Sequence, residues 1–184
     1  MNKYIQNKII AEIVEWAITI AGMLLLVLIM RNFIFRTALV SGPSMLPTLH
    51  HDDRVIIFKL PYIFGEPKFN DIVAFPYKEN PSQYFIKRIV GLPGDVINIE
   101  NRKITINGSE LEDAFSMEPL ASLGDTAFPI TVPEGRYFVL GDHRNHSNDS
   151  RFTAVGCIAK SELLGRVKFR YWPMWPENRF GRIG

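Results

Sequence analysis

The sequence predicts a mainly β protein in which an N-terminal transmembrane helix is followed by an antiparallel β domain. An uncharged apolar run, Trp16–Met30, predicts the helix. Beyond residue 50 the chain breaks into short apolar segments separated by turn residues, which is typical of antiparallel sheets. Two of these segments alternate apolar and polar residues across a short turn. With 184 residues, 47% of them hydrophobic, the chain can also bury the core of one compact domain.

The apolar segment is long enough to cross a bilayer if its flanking charges lie at the two interfaces. Its apolar character extends from Ile13 to Phe35, with Glu15 and Arg31 near opposite ends. About 20 apolar residues suffice for a spanning helix, and long side chains at helix ends can reach the polar interface. We therefore predict that residues 1–35 form a tail and membrane anchor and that residues 36–184 form a β domain.

A cleavable signal peptide is the alternative for this segment. Lys3 and Lys8 resemble the charged beginning of such a peptide. We favour an uncleaved anchor because the apolar stretch is long and Arg31 and Arg36 follow it. Counting charges does not decide its orientation, since two glutamates offset the two lysines.

The β domain is predicted from short strands with turns between them. Asn101-Arg102 joins two alternating segments, which predicts a hairpin. Ala159–Leu164 is predicted to hold one short helical turn, and residues 108–135 are predicted to be a loop-rich insertion outside the core. The predicted strands are Arg54–Phe58, Ile72–Phe75, Tyr84–Val90, Val96–Glu100, Lys103–Ile106, Arg136–Leu140 and Arg166–Tyr171.

Charge and cysteine content exclude some classes of protein. The net charge is +2 and no long basic run occurs, so nucleic acid is not an expected partner. Cys157 is the only cysteine, so no disulfide can form within the chain and the redox compartment stays open. The sequence does not predict an oligomeric state.

A rigid, sharply turned stretch follows the anchor. In Val40-Ser41-Gly42-Pro43-Ser44-Met45-Leu46-Pro47 two prolines fix φ, and Gly42 permits unusual backbone angles. Such a turn can hold a serine at a fixed angle, as nucleophilic catalysis requires. Ser44 is therefore a candidate nucleophile, and an ordinary proline-rich loop is the alternative.

Two adjacent cations lie in an apolar run, Phe85-Ile86-Lys87-Arg88-Ile89-Val90. Buried charges are costly unless each has a task. Apolar surroundings lower the pKa of a lysine from about 10.4, so that it can be neutral and accept a serine proton. The alternative is an edge strand whose lysine reaches solvent. Further on, nearly every residue of Gly141–Arg151 is polar or charged, which suits either a buried supporting network or a solvated loop.

These stretches together resemble those of the type I signal peptidases (bacterial leader peptidases), in the short single-anchor form of Bacillus-like bacteria. The anchor, the serine stretch, Asp71-Ile72-Val73-Ala74-Phe75, the lysine stretch and Gly141–Arg151 follow the family's order and spacing. The resemblance implies a signal peptidase-like fold and a serine endopeptidase that removes signal peptides from exported pre-proteins, without metal or cofactor. It also implies a single-pass protein of the cell membrane, in contact with the lipid bilayer, with a cytoplasmic N-terminus and an extracytoplasmic catalytic domain.

The resemblance assigns Ser44 as nucleophile and Lys87 as general base. It implies that Ser147 hydrogen-bonds and orients the lysine. It further implies two supporting ion pairs, which are Asp149 with Arg151 and Asp142 with Arg88.

The backbone N–H of Ser44 would serve the oxyanion hole. Many family members have a second donor, a serine, at the position of Gly42. That side-chain donor is missing here, which leaves Ser41 or a backbone group to replace it. His143 and His146 also depart from the commoner choices of the family.

The implied substrates carry small residues at the first and third positions before the cut. An extended substrate points alternate side chains the same way, and it would pair with the strand ending at Lys87 and with Ala38–Ser41. Because Phe35 is close to Ser44 in the chain, at most about 30 Å when extended, cleavage is expected near the bilayer. The side chains expected around the pockets are Val40, Ser41, Met45, Leu49, Phe85 and Ile86.

Other functions are weighed against this one. His50-His51-Asp52-Asp53 and His143-x-x-His146 contain zinc-ligand residue types, but neither has the helical spacing of a zinc protease. A Ser-His triad would use Ser44 with His143 or His146. A membrane-tethered β module would bind peptides without catalysis, and a self-cleaving repressor protease would need a DNA-binding segment. Tyr171–Pro176 is predicted either to rest at the membrane interface or to close the β domain.

Overall fold

A computed structural model describes residues 3–112, 115, 119–173 and 179–183, with side chains from residue 8 onward. The chain divides into two compact units, Met1–Phe35 and Arg36–Gly184. The first contains helix α1, Lys3–Ile29, which continues as a π-helical turn over Met30–Ile34. Lys8–Ile34 is long and apolar enough to cross a membrane, and none of it is buried.

The second unit is built from two antiparallel sheets. The larger, eight-stranded sheet has the order β1-β2-β11-β3-β4-β9-β10, with β12 beside β11, and the smaller has the order β7-β6-β5-β8. The strands are β1 Phe35–Leu39, β2 Arg54–Phe58, β3 Ile72–Tyr77, β4 Asn80–Gly91, β5 Val96–Glu100, β6 Lys103–Ile106, β7 Ser109–Glu110, β8 Ile130–Thr131, β9 Arg136–Leu140, β10 Ile158–Ala159, β11 Gly165–Trp172 and β12 Gly181–Arg182. Short helical elements are α2, Leu60–Phe64, and 3₁₀ turns at Arg144–His146 and Lys160–Glu162.

Strand β4 contributes to three separate clusters of buried apolar side chains. Ile86 packs with Val40, Met45 and Leu49, which come from the loop after β1. Ile89 packs between β3 and β9, and Val90 packs against the smaller sheet. Because this strand is held along its length, Lys87 and Arg88 have fixed positions in the interior.

Every predicted strand is confirmed, and three of them are longer than predicted: β3 and β11 by two residues each and β4 by five. In the predicted hairpin, Asn101 and Arg102 both have positive φ, as tight two-residue hairpin turns require. The short helical turn expected in Ala159–Leu164 is the 3₁₀ turn at Lys160–Glu162.

Other expectations need correction. Residue 35 begins strand β1 instead of ending the helix, and its extended backbone has φ −145° and ψ 158°. Helix α2 was not expected; it begins with a proline in its first turn and buries Tyr62. The segment 108–135 is not wholly outside the core, because Leu120 and Val132 are buried against the smaller sheet. Of Tyr171–Pro176, Met174 to Pro176 lie outside the described residues, and Trp172 is half exposed.

Gly124 lies against the loop that carries Arg151. Its φ is +82°, and a Cβ there would overlap the Arg151 carbonyl oxygen. Asp125 and Thr126 N–H both donate to this same oxygen. We expect Gly124→Ala to add left-handed strain of about 1–2 kcal/mol and to break hydrogen bonds worth about 1 kcal/mol each. Thermal unfolding followed by circular dichroism should show a Tm lower by about 6–12 °C.

Gly94→Ala is the matched control, because Gly94 has φ +87° but a Cβ added there would meet no atom within 4 Å. It should suffer only the left-handed strain and melt a few degrees lower. Equal shifts in the two variants would contradict the close contact between Gly124 and Arg151 as the cause.

Candidate active site

Two apolar side chains that pack into the core anchor the turn that carries Ser44. Met45 is 1% exposed and Leu49 is fully buried in the core. Within the turn, Leu46 N–H donates to the Pro43 carbonyl at 3.0 Å and Leu49 N–H donates to the Met45 carbonyl at 2.8 Å. The turn begins at Gly42 with φ +90°, a conformation that favours glycine. Ser44 is therefore half-buried on a turn that core packing and backbone hydrogen bonds hold in place.

The amine of Lys87 lies beside the hydroxyl of Ser44. Nζ and Oγ are 2.7 Å apart, and Lys87 is 3% exposed. Burial lowers the pKa of Lys87 to about 8, although the charges of Asp149 and Asp142 oppose this shift. A neutral amine at this distance can take the hydroxyl proton. The expected lowering of the pKa is confirmed, and the solvent-exposed edge strand is wrong because β4 lies between β3 and β9.

The arginine next to Lys87 forms a buried ion pair. Arg88 Nε and Nη2 donate to the two carboxylate oxygens of Asp142 at 2.8 and 2.7 Å. Both side chains are at most 1% exposed. The same carboxylate accepts a hydrogen bond from Thr48 Oγ1 at 2.5 Å. Thr48 was not recognised from the sequence, because a threonine after a proline carries no sign of a distant partner.

A second buried ion pair organises the polar loop after β9. Arg151 donates to both oxygens of Asp149, at 2.8 and 3.0 Å, and both side chains are fully buried. Arg151 also donates to the carbonyls of Ser122 and Arg144. Asp149 accepts the N–H of Gly141 at 3.1 Å. The loop is therefore a folded network and not a solvated excursion.

Ser147 lies near Ser44 and Lys87 without bonding to either residue. A Cβ added at Gly141 would overlap both the Ser147 hydroxyl and the Ser44 carbonyl oxygen, so the three groups are close together. The Ser147 hydroxyl is buried and has no hydrogen-bond partner within the part of the chain that the structure describes. The expected bond from Ser147 to Lys87 is therefore not formed in this structure, in which the amine bonds to Ser44 instead.

One backbone donor is available beside the nucleophile. Within the described ranges the N–H of Ser44 makes no hydrogen bond. The N–H of Gly42 donates to His51 Nδ1 at 3.2 Å. A Cβ at Gly42 would have no atom within 4 Å, but the positive φ disfavours any side chain there. A side-chain donor at position 42 is thus absent, as the sequence indicated.

A groove with a cavity volume of about 540 Å³ runs past the dyad. Five of the expected pocket residues line it, namely Val40, Ser41, Met45, Phe85 and Ile86. Leu49 does not, because it is fully buried beneath the turn. Ile57 and Leu164 line the groove but were missed, since they arrive from strand β2 and from the end of a loop before β11.

The histidines do not reach the nucleophile. His143 donates its backbone N–H to the Ser44 carbonyl at 3.1 Å, and its ring lies 4.3 Å from the ring of His146. In the described ranges neither ring bonds to the Ser44 hydroxyl, which favours Lys87 over a Ser-His triad. Among the same residues no group of three or more His, Cys, Asp or Glu side chains is arranged to hold a metal ion.

Comparisons with known proteins agree with one another. The family model described as signal peptidase, peptidase S26, matches residues 13–172. Signal peptidase I S of Bacillus subtilis (strain 168) is 36% identical over 170 residues, which are 88% of this chain and 90% of that protein. Signal peptidase I of Leptolyngbya laminosa is 36% identical over 97% of this chain and 88% of its own. A solved signal peptidase I from Enterococcus faecalis V583 is 32% identical and has a TM-score of 0.47, over 55% of this chain and 96% of that chain.

We expect Asp149→Ala to destabilise the protein strongly. It leaves the buried Arg151 guanidinium without its carboxylate, which costs about 3–5 kcal/mol. The Tm should fall by about 10 °C or more, measured by circular dichroism. Glu110→Ala is the control, because the Lys103–Glu110 pair is about 60% exposed and should contribute less than about 1 kcal/mol. A variant at position 149 that melts like wild type but has lost activity would instead give this carboxylate a role in the chemistry.

Proposed function

The chain belongs to the signal peptidase family, peptidase S26, and we propose that it removes signal peptides from exported pre-proteins by means of a serine–lysine dyad. Membership makes it a serine protease of the signal-peptidase type. In the proposal Ser44 is the nucleophile and Lys87 is the general base. The observation that carries the assignment is the separation of 2.7 Å between Ser44 Oγ and an amine whose pKa burial lowers to about 8.

The proposed reaction has two halves that use the same amine. Neutral Lys87 takes the proton of the Ser44 hydroxyl as Oγ attacks the carbonyl carbon of the scissile peptide bond. The resulting ammonium donates this proton to the leaving amine nitrogen, which leaves an acyl-enzyme on Ser44. A water molecule then attacks the acyl carbon while Lys87 again accepts a proton. The ammonium then returns this proton to Ser44 Oγ as the acyl carbon–Oγ bond breaks, so the acid product leaves and both the hydroxyl and the neutral amine are restored.

The negative charge that develops on the carbonyl oxygen needs a hydrogen-bond donor. The unbonded N–H of Ser44 supports a role as the backbone donor of the oxyanion hole. Gly42 supplies no side-chain donor, and its N–H is engaged by His51. The proposed hole therefore relies on the backbone at Ser44 more than in relatives with a serine at the position of Gly42.

Extended strands border the groove and suit an extended peptide. Its lining includes Arg36–Ser44 on one side and Ser82–Lys87 on the other. A signal peptide would add to these strands through backbone hydrogen bonds and present alternate side chains to the pockets. Val40, Met45 and Ile86 are largely buried and fill the space beneath, which supports a preference for small side chains.

The apolar helix supports a membrane anchor. In this proposal residues 1–35 form a cytoplasmic tail and a single span, and residues 36–184 form the catalytic domain on the extracytoplasmic face. Lys8–Ile34 has the length and composition for one crossing. Substrates would be signal-peptide-bearing pre-proteins, whose own apolar segment holds the cleavage site close to the bilayer.

We expect Ser44→Ala to abolish cleavage of a signal-peptide-bearing precursor, because in the described part of the chain no other hydroxyl is hydrogen-bonded to the Lys87 amine. The assay uses full-length protein in detergent or vesicles and follows mature product by gel. Ser109→Ala, at an exposed position in the smaller sheet, should cleave like wild type. Turnover by the position-44 variant within tenfold of wild type would rule out the assignment.

The rate of cleavage should rise with pH through about 8, because the base must be neutral and its pKa in the folded protein is about 8. Lys87→Arg should be inactive at every pH, since a guanidinium does not deprotonate in proteins. The measurement is a single-turnover pH–rate profile of both proteins. An active arginine variant would exclude lysine as the base.

Lys87→Met tests whether the loss of activity expected for Lys87→Arg comes from unfolding. The folded pKa of about 8 lies below the unfolded value of about 10.4, so the folded state binds this proton less readily. Stability from this group is therefore lowest below pH 8 and recovers as the pH rises to about 10.4. Lys87→Met removes the penalty, so it should be inactive and yet melt above wild type at pH 7.

A further inference from the structure

Thr48 stands four residues after the nucleophile, at a point where separate parts of the chain meet. Its hydroxyl donates to Asp142 Oδ2 at 2.5 Å. Arg88 Nη2 lies 3.4 Å from the same hydroxyl oxygen. The backbone carbonyl of Thr48 accepts a hydrogen bond from Arg170 Nη1 at 3.2 Å. A half-buried threonine thus has both its side chain and its backbone held by charged groups.

The carboxylate that Thr48 contacts is linked, through neighbouring residues, to both Lys87 and Ser44. On one side it holds Arg88, the residue next to Lys87 in β4. On the other side Asp142 precedes His143, whose N–H donates to the Ser44 carbonyl at 3.1 Å. The Thr48 hydroxyl joins this carboxylate to the nucleophile turn itself. Hydrogen bonds to an ionised group are shorter and stronger than those between neutral groups.

A second buried carboxylate holds the far side of the turn. Asp53 is fully buried and accepts Arg170 Nη1 at 3.1 Å and the His50 N–H at 2.9 Å. Arg170 therefore bridges Asp53 and the Thr48 carbonyl. Two ion pairs therefore hold residues 48–50 in place. One is Asp142–Arg88, whose arginine lies in β4, and the other is Asp53–Arg170, whose arginine lies in β11.

Proton transfer from Ser44 to Lys87 is sensitive to how these ion pairs hold the turn, because the donor and acceptor atoms must lie about 2.6–3.2 Å apart. We propose that Thr48 is a positioning residue for the dyad. Its hydroxyl, acting through the Asp142–Arg88 pair, holds the nucleophile turn at the level of Lys87 so that Ser44 stays in reach of the amine. The inference rests on the proposed roles of Ser44 and Lys87 and adds to them a residue that touches neither substrate nor reacting atoms.

The test compares substitutions that keep or remove only the hydroxyl. Thr48→Val has nearly the same shape and lacks the donor, whereas Thr48→Ser keeps it. We expect Thr48→Val to lower kcat for precursor cleavage by about 10- to 100-fold, with KM within about threefold, because a misplacement of about 1 Å has effects of this size. Thr48→Ser should stay within about threefold of wild type. The limb of the pH–rate profile near pH 8 should persist, since Lys87 stays buried.

Thr153→Val is the matched control. The Thr153 hydroxyl also donates to an aspartate, Asp125, at 3.2 Å, but on an exposed loop. It should leave kcat unchanged. The proposal is overturned if Thr48→Val cleaves within threefold of wild type, if Thr48→Ser is equally impaired, or if the loss vanishes well below the Tm of the variant. The last result would mean that the hydroxyl contributes to stability alone.

A crystal structure of Thr48→Val gives a readout that does not depend on any substrate. The distance from Ser44 Oγ to Lys87 Nζ should lengthen from 2.7 Å beyond hydrogen-bond reach, and an unchanged distance overturns the inference. If wild type fails to cleave precursors, the proposed function is wrong, whereas this distance still tests Thr48. Thr48→Ala leaves room for water on the Asp142 carboxylate and replaces the valine variant if that one does not fold, with the same expected loss.

Discussion

Burial of the Lys87 amine is the constraint on which the rest of the site depends. Arg88 and Arg151 are buried nearby, and each holds a carboxylate in a two-point contact. Within the described ranges no carboxylate lies at ion-pair distance from Lys87, so desolvation outweighs the attraction of the more distant Asp149 and Asp142. A guanidinium does not deprotonate in proteins, and its carboxylate partner offsets the cost of burying it. The lysine is the group that can give up its proton, as the proposed role of general base requires.

The fold creates that environment by running one strand through three apolar clusters. Strand β4 shares side chains with the core under the nucleophile turn, the core between β3 and β9 and the core of the smaller sheet. Its polar residues can then be buried at fixed positions, with the nucleophile turn on one side and the Gly141–Arg151 loop on the other. Hydrogen bonds from His143 to Ser44 and from Thr48 to Asp142 connect these pieces. In the proposed mechanism stability and chemistry depend on the same buried polar groups, so we expect a change in either ion pair to affect both.

The strands were predictable because alternation and turn residues are local properties. The positive φ values at Asn101 and Arg102 follow from a turn that two neighbouring strands impose. Strand β1 was not predictable in this way, since Phe35 ends the apolar run of the helix and the strand is defined by its pairing with β2. The same limit explains why Leu49 was wrongly expected to line the groove. An apolar residue near Ser44 can face the groove or the core, and its tertiary neighbours decide which of the two it faces.

By itself, the sequence determined the N-terminal helix, seven of the strands in their order, the serine on its rigid turn, the lysine in its apolar run and the resemblance that joins them. Composition, periodicity and motif spacing carry these properties because they depend on residues close together in the chain. Tertiary structure alone decided that Lys87 lies 2.7 Å from Ser44, that the Ser147 hydroxyl has no partner among the described residues, and that Thr48 meets Asp142. The two contacts join residues far apart in sequence, and whether a buried group such as the Ser147 hydroxyl meets a partner follows from how the sheets pack, which no local pattern encodes.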